Sequence, residues 1–132
     1  MDQQVDFPSG FAEWIGTEWI DFDPDNARAK INVEKNHLQP FGIVHGGVYA
    51  TLAEAICSAA TYYAVHDDGM VAMGQANDTN FLRPITEGEI TATAKARHRG
   101  RSTWVWDVEI TDDEGRVCAL SRMTIAVRPQ RG

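Results

Sequence analysis

Between Gly46 and Val65 the sequence runs GGVYATLAEAICSAATYYAV, twenty residues with a single formally charged side chain, Glu54. Val48, Leu52, Ile56, Ala59 and Tyr63 recur at the spacing of one helical face. The other flank, Gly47, Ala50, Thr51, Glu54 and Ser58, consists mostly of small residues that let another backbone or a ligand come close. A helix this apolar all round has no face to give to water, so it is expected to be buried on most sides. Glu54 is then expected to be buried, where an ionised carboxylate is costly unless paired, hydrogen-bonded or used in chemistry. The plainer alternative puts Glu54 on a narrow exposed stripe.

What surrounds this helix reads as strand. Thr17 to Phe22 and Arg28 to Glu34 flank the turn signature Asp23-Pro24-Asp25-Asn26 and predict a hairpin. Upstream, Ser9 to Gly16 reads as a short amphipathic helix, capped by Ser9, stopped by Gly16 and packed through Phe11, Trp14 and Ile15. A loop, Lys35 to Val44, delivers the chain into His45-Gly46-Gly47. Beyond the long helix, Met70 to Leu82, Gly88 to Arg97, Ser102 to Ile110 and Arg116 to Val127 are strand-like segments parted by Pro84, Arg99-Gly100 and Asp112-Asp113-Glu114-Gly115. Ile90, Ala92, Ala94 and Ala96 alternate with Thr91, Thr93, Lys95 and Arg97, and Trp104, Trp106, Val108 and Ile110 share a face. A hairpin, one long helix and an antiparallel meander make an α+β fold, one sheet curled around a central helix. The 132 residues suffice for one domain, 1–132.

Composition narrows the partners. A net charge of −7 weighs against a general nucleic-acid surface. No stretch is apolar enough to cross a bilayer, and the acidic start MDQQVDFPSG lacks the blocks of a signal peptide, so a cytoplasmic protein is expected. Cys57 and Cys118 form no spacing framework and read as buried small hydrophobes. Arg97, Arg99 and Arg101, with Arg83 as a possible companion, form the one basic cluster; it is a solvated turn or a grip on a small polyanion such as a nucleotide phosphate.

At the helix entrance, His45-Gly46-Gly47 presents backbone N–H groups without intrahelical acceptors at the positive end of the helix dipole. Such donors suit a carbonyl oxygen that gains negative charge during acyl transfer. Gly46 and Glu54 are eight residues apart, which separates them by roughly 12 Å along one helix. They cannot act on one carbonyl within a single chain. Two copies with antiparallel helices would bring Glu54 of one beside Gly46 of the other, giving two equivalent sites about a two-fold axis.

The string Leu38-Gln39-Pro40-Phe41-Gly42-Ile43-Val44-His45-Gly46-Gly47, followed by Leu52-Ala53-Glu54, resembles the hotdog-fold acyl-CoA thioesterases, in particular the PaaI-like branch that includes 4-hydroxybenzoyl-CoA thioesterases with a helix glutamate. That branch also holds hydrolases for dihydroxynaphthoyl-CoA and for mischarged aryl carrier protein. The likeness spans about residues 28 to 127, and its specific core is the His-Gly-Gly with Gln six positions before the His and an acid nine positions after it. The resemblance implies a hotdog fold and Glu54 as catalytic acid, acting as nucleophile or as general base. It further implies Gly46 as the donor to the thioester oxygen, His45 as a brace of that region, Gln39 as a positioner of substrate or water, and Ser58 as a hydroxyl that orients the acid or the water. It places the CoA phosphates near Arg83, Arg101 and Ser102. Phe81-Leu82 stand before Arg83-Pro84 where some relatives carry histidine. The acyl group implied is aromatic or medium-chain, and the assembly a homodimer or dimer of dimers.

No metal or redox cofactor is expected: His37, His66 and His98 have no ligand spacing, and no Gly-x-Ser-x-Gly elbow occurs. Gln75, Asn77 and Asn80 line a pocket or meet a second subunit. Two rivals use the same residues. One is a module that binds acyl-CoA or a lipid-like acid without cleaving it; the other is a hydratase or dehydratase with His45 set against an acid.

Overall fold

The computed structural model describes residues 10–131. A one-turn helix, α1 (Phe11–Trp14), is followed by strands β1 (Glu18–Asp21) and β2 (Ala27–Asn32), the helix α2 (Gly46–Val65), and strands β3 (Met70–Phe81), β4 (Glu89–Arg99), β5 (Thr103–Thr111) and β6 (Val117–Pro129). The strands form one six-stranded antiparallel sheet in the order β1-β2-β4-β5-β6-β3. The expected α+β arrangement is therefore present, with α2 lying on the inner face of the sheet.

The alternation read in the strands carries the packing. Ile90, Ala92 and Ala94 of β4 and Trp104, Trp106, Val108 and Ile110 of β5 are buried against Leu52, Ile56 and Ala59 of α2, while Val48 and Tyr63 pack at its margins. The alanine rows bring the sheet close to the helix. One buried polar tie fixes the two together: the Thr61 hydroxyl donates to the Cys57 carbonyl at 2.7 Å and accepts the Trp106 Nε1–H at 2.9 Å.

Three expectations need correction. A helix of one turn cannot bury three positions, so of Phe11, Trp14 and Ile15 only Ile15 enters the core; Phe11 and Trp14 stack on each other at 6.2 Å and stay exposed. Gly10 stands at the N-cap of that helix, and the proposed cap Ser9 lies outside the described residues. Second, α2 is not enclosed all round. Its flank of Gly47, Thr51, Glu54 and Ser58 is open, and Glu54 is exposed within the single chain. The sheet has one inner face and α2 offers it one side, so the sheet itself leaves that flank uncovered, and among the described residues Phe11 and Ala12 of α1 border it. Third, the arginine cluster is mostly strand and largely neutralised. Arg97 and Arg99 belong to β4 and pair with Asp107 at 3.4 Å and Asp25 at 2.7 Å.

Among the described residues β3 is an edge strand hydrogen-bonded only to β6, and eight of its residues from Met73 to Phe81 are exposed. A long edge with free N–H and C=O groups is a ready template for another strand. No helix among the described residues is long and apolar enough to cross a membrane.

Candidate active site

The chain reaches the N-terminus of α2 through a braced loop. His37 is buried and holds two distant segments: its Nδ1 accepts the Glu34 N–H at 2.9 Å, and its Nε2 meets the Ile15 carbonyl at 2.7 Å. That geometry requires the neutral tautomer with hydrogen on Nε2. The His37 carbonyl in turn accepts the His45 N–H at 2.9 Å, and Val44 N–H bonds the Ile85 carbonyl at 2.8 Å. The position of the helix start is thus set from the end of α1, the loop and the β3–β4 connection together. In the sequence His37 stands out only as a histidine whose spacing suits no metal site; its bracing role has no sequence signature.

His45 is the N-cap of α2, its Nδ1 accepting the Gly47 N–H at 2.9 Å. This consumes the Gly47 donor and leaves the Gly46 N–H without an acceptor among the described residues. Gln39 is half-buried nearby. Its Oε1 accepts the Phe41 N–H at 2.9 Å, which fixes the side chain and turns its amide NH₂ to other use. Gln39, Gly46, Tyr49, Phe81 and Arg83 line one cleft of about 420 Å³. The Phe81 ring caps it, so close to Gly46 that a Cβ there would stand 2.9 Å from the ring. Glycine at 46 is required for that approach. Tyr49 forms part of the lining and is 3 % exposed; its hydroxyl has no partner among the described residues, and burial pushes its ionisation far above the usual range for tyrosine.

Glu54 and Ser58 occupy a different cleft, with Phe11, Ala12, Thr51 and Ala55. It shares Phe11, Ala12, Ala55 and Ser58 with a larger, mainly apolar groove of about 530 Å³ that runs under α1 along Trp19, Ala59, Tyr62, Val71 and Ala72. The Glu54 carboxylate lies across the bare Cα of Gly74 on β3. Among the described residues none lines both the Gly46 cleft and the Glu54 cleft. The structure therefore brings Gln39, His45 and Gly46 together with Arg83, and Glu54 together with Ser58, at two separate places on one helix. Arg101 and Ser102 sit exposed at the β4–β5 turn, outside both clefts. Ser102 uses its carbonyl to accept Arg128 Nη1–H at 2.7 Å, whereas no carboxylate pairs with Arg101 among the described residues.

Cysteine chemistry is unsuited to this site. Burial, with the neighbouring Glu54 charge adding to it, holds the Cys57 thiol well above its ordinary range, and burial pushes Cys118 up to about 11. Both are neutral thiols near pH 7, and thiols are poor nucleophiles. Among the described residues no three His, Cys, Asp or Glu side chains converge as a metal site.

Residues 41–119 match the Thioesterase superfamily. The chain is 38 % identical over 122 residues to the 1,4-dihydroxy-2-naphthoyl-CoA hydrolase of Listeria monocytogenes, covering 92 % of this chain and 98 % of that protein. It is 33 % identical over 115 residues to the proofreading thioesterase EntH of Cronobacter turicensis, covering 87 % and 83 %. Among solved structures, a thioesterase from Haemophilus influenzae superposes with a TM-score of 0.84 at 35 % identity, over 89 % of this chain and 82 % of that one.

Proposed function

The chain belongs to the hotdog-fold thioesterase superfamily, and from that premise we propose that it hydrolyses an aromatic or medium-chain acyl-CoA thioester at a site assembled from two copies of the chain. Thioester hydrolysis itself is the family's reaction; the acyl group and the assembly are the proposal. The observation that carries it is the free Gly46 N–H at an open helix start, set apart on the same helix from a carboxylate with a cleft of its own.

Each residue then has a role set by its surroundings. The Gly46 N–H, at the positive end of α2, donates to the thioester oxygen and holds the charge that grows there when the carbonyl carbon becomes tetrahedral. His45 removes the competing Gly47 donor and keeps the turn rigid. Gln39, pinned through its oxygen, offers its NH₂ to the substrate or the attacking water. From across the two-fold axis the partner's carboxylate, Glu54, works on the carbonyl carbon with Ser58 one turn away. Acting as base, it takes a proton from water as the water oxygen bonds to carbon. The C–S bond then breaks and the proton passes to the departing sulfur. Acting as nucleophile, it bonds to the carbonyl carbon and the C–S bond breaks, so that the CoA thiolate leaves, takes a proton from solvent, and a mixed anhydride remains that water opens to the free acid and the regenerated carboxylate. Single-turnover hydrolysis in heavy-oxygen water separates these routes, because only the anhydride carries label into the carboxylate.

The exposed edge of β3 supports the two-copy site. Pairing it with a second β3 would satisfy its free backbone groups and cover the open flank of α2. The apolar groove leading from Ser58 toward Tyr62 supports an apolar acyl group, and the unpaired cation Arg101 beside Ser102 supports a hold on the CoA phosphates at the surface. The soluble acyl-CoA substrate fits a cytoplasmic setting. Glu54→Gln keeps the shape and removes the base. It is expected to abolish thiol release from a panel of aryl and fatty acyl-CoAs, and wild-type turnover by that variant would refute the mechanism. A module that only binds acyl-CoA would instead show thermal stabilisation by CoA esters with no thiol released.

A further inference from the structure

We infer that Gly74 is a positioning residue for hydrolysis: the bare Cα of β3 is the seat on which the Glu54 carboxylate rests. The inference depends on reading Glu54 as the catalytic acid.

A Cβ at position 74 would stand 2.6 Å from Glu54 Oε2, 2.8 Å from its Cδ and 3.2 Å from its Cγ, and these are the three nearest atoms it would meet. Ordinary contact between such atoms begins at about 3.5 Å. The strand itself does not ask for glycine there. The glycines held at positive φ are Gly16, Gly42, Gly69, Gly88 and Gly115, so the Gly74 backbone is one that alanine adopts freely. Gly74 is also in register, opposite Ile125 of β6. A glycine inside a strand costs about 0.5–1 kcal/mol relative to alanine, and at an exposed edge such as this one the space it leaves is what it contributes. That space is filled by one group, the acid.

The strand is also re-aimed at this point. Gly74 pairs with Ile125 and Ala76 with Thr124, so Gln75 is an extra residue with no counterpart on β6. A bulge bends its strand and raises the local twist. Two residues further on, Asn77 reaches back from β3 and donates its Nδ2–H to the Ala50 carbonyl of α2 at 2.9 Å, one turn before Glu54. Strand and helix are therefore tied beside the carboxylate, and Gly74 defines how near to β3 it can lie. A glutamate has three rotatable bonds, and the bare Cα limits its reach on one side. A methyl group in that place would displace the carboxylate by the better part of an ångström without touching the fold, because what it meets is the movable end of an exposed side chain.

Gly74→Ala is the direct test, read as kcat, KM and melting temperature alongside Glu54→Ala and the double variant. The expected result is a fall in kcat on the order of 100-fold, the cost of misplacing a reacting group by about 1 Å, with KM and melting temperature close to wild type. The double variant Glu54→Ala/Gly74→Ala is expected to be no slower than Glu54→Ala alone, because alanine at 54 has none of the Cγ, Cδ and Oε2 atoms that a Cβ at 74 would meet. Should Gly74→Ala be unstable, adding Glu54→Ala must restore the melting temperature if the contact is the cause. Wild-type kcat in Gly74→Ala, or an instability that Glu54→Ala does not relieve, overturns the inference. Glu54→Gln keeps the two readings apart. If Glu54→Gln is inactive while Gly74→Ala is fully active, only the seat is refuted; if Glu54→Gln is itself fully active, the catalytic reading falls and the seat with it.

Discussion

Replacing Thr61 by valine should loosen the hold of the sheet on α2 by an amount that can be worked from the contacts. Thr61 and Trp106 are both 0 % exposed, and the Thr61 hydroxyl accepts the Trp106 Nε1–H at 2.9 Å. Valine keeps the shape, so packing changes little, while the indole N–H is left in a dry interior with nothing to bond. An unsatisfied buried donor costs about 1–3 kcal/mol. The lost bond from the hydroxyl to the Cys57 carbonyl adds little, since that carbonyl also serves the helix ladder. For a chain of this size the penalty corresponds to a melting temperature lower by roughly 3–10 °C. Urea denaturation of Thr61→Val, Trp106→Phe and the double variant measures it. The double variant should cost less than the sum of the singles by about 1 kcal/mol, since phenylalanine has no donor to strand. Thr61→Val as stable as wild type, or single costs that simply add, would refute the reasoning.

Tyr49→Phe should do the opposite. It removes a buried hydroxyl that has no partner, and is expected to raise stability by about 1 kcal/mol in thermal denaturation; a lower melting temperature would mean the hydroxyl is bonded after all. Arg101→Ala is expected to raise KM for CoA thioesters several-fold while leaving KM for thioesters of a short, phosphate-free thiol unchanged, with the difference shrinking as salt rises. Cys118 ionises only at about pH 11, and Cys57 is likewise held up by burial, so the reactive thiolates are scarce near neutrality and appear only as pH climbs. Alkylating reagents at pH 7 should leave both thiols and the activity intact until the protein is unfolded, as mass spectrometry of treated enzyme would report.

Much of the fold was legible because its signals are local. The β4 alternation and the spacing of Leu52, Ile56 and Ala59 are one-chain patterns, and they place the same residues in the core that the structure buries. Strand limits differ by at most two residues, and the ladder carries on past the apolar pattern at Arg99 of β4 and Pro129 of β6. The burial of Glu54 was misread for a physical reason. Hydropathy says that a helix flank avoids water but not which molecule covers it, and the flank of α2 is left open by its own sheet. The same limit applies to the site. The His45-Gly46 turn and the acid at 54 are visible in the sequence, and so is an isolated strand glycine that hints at a close approach. What approaches Gly74 is a contact between helix and edge strand, as the Phe81 ring over Gly46 is, and such pairings have no spacing in the chain. His37 is similar: a buried imidazole bracing Ile15 and Glu34 looks in sequence like any loop histidine.

The claim that one active site draws on two chains is tested most directly by mixing two disabled proteins. Glu54→Gln and Gln39→Ala each break both sites of their own homodimer. After differently tagged subunits have exchanged fully in equal amounts, half the dimers are mixed, and each mixed dimer holds one site with both defects and one with none. The account predicts recovery to about a quarter of wild-type thiol release. If exchange is complete by tag and the mixture stays as inactive as its parents, Glu54 and Gln39 act within a single chain and the two-chain site is wrong.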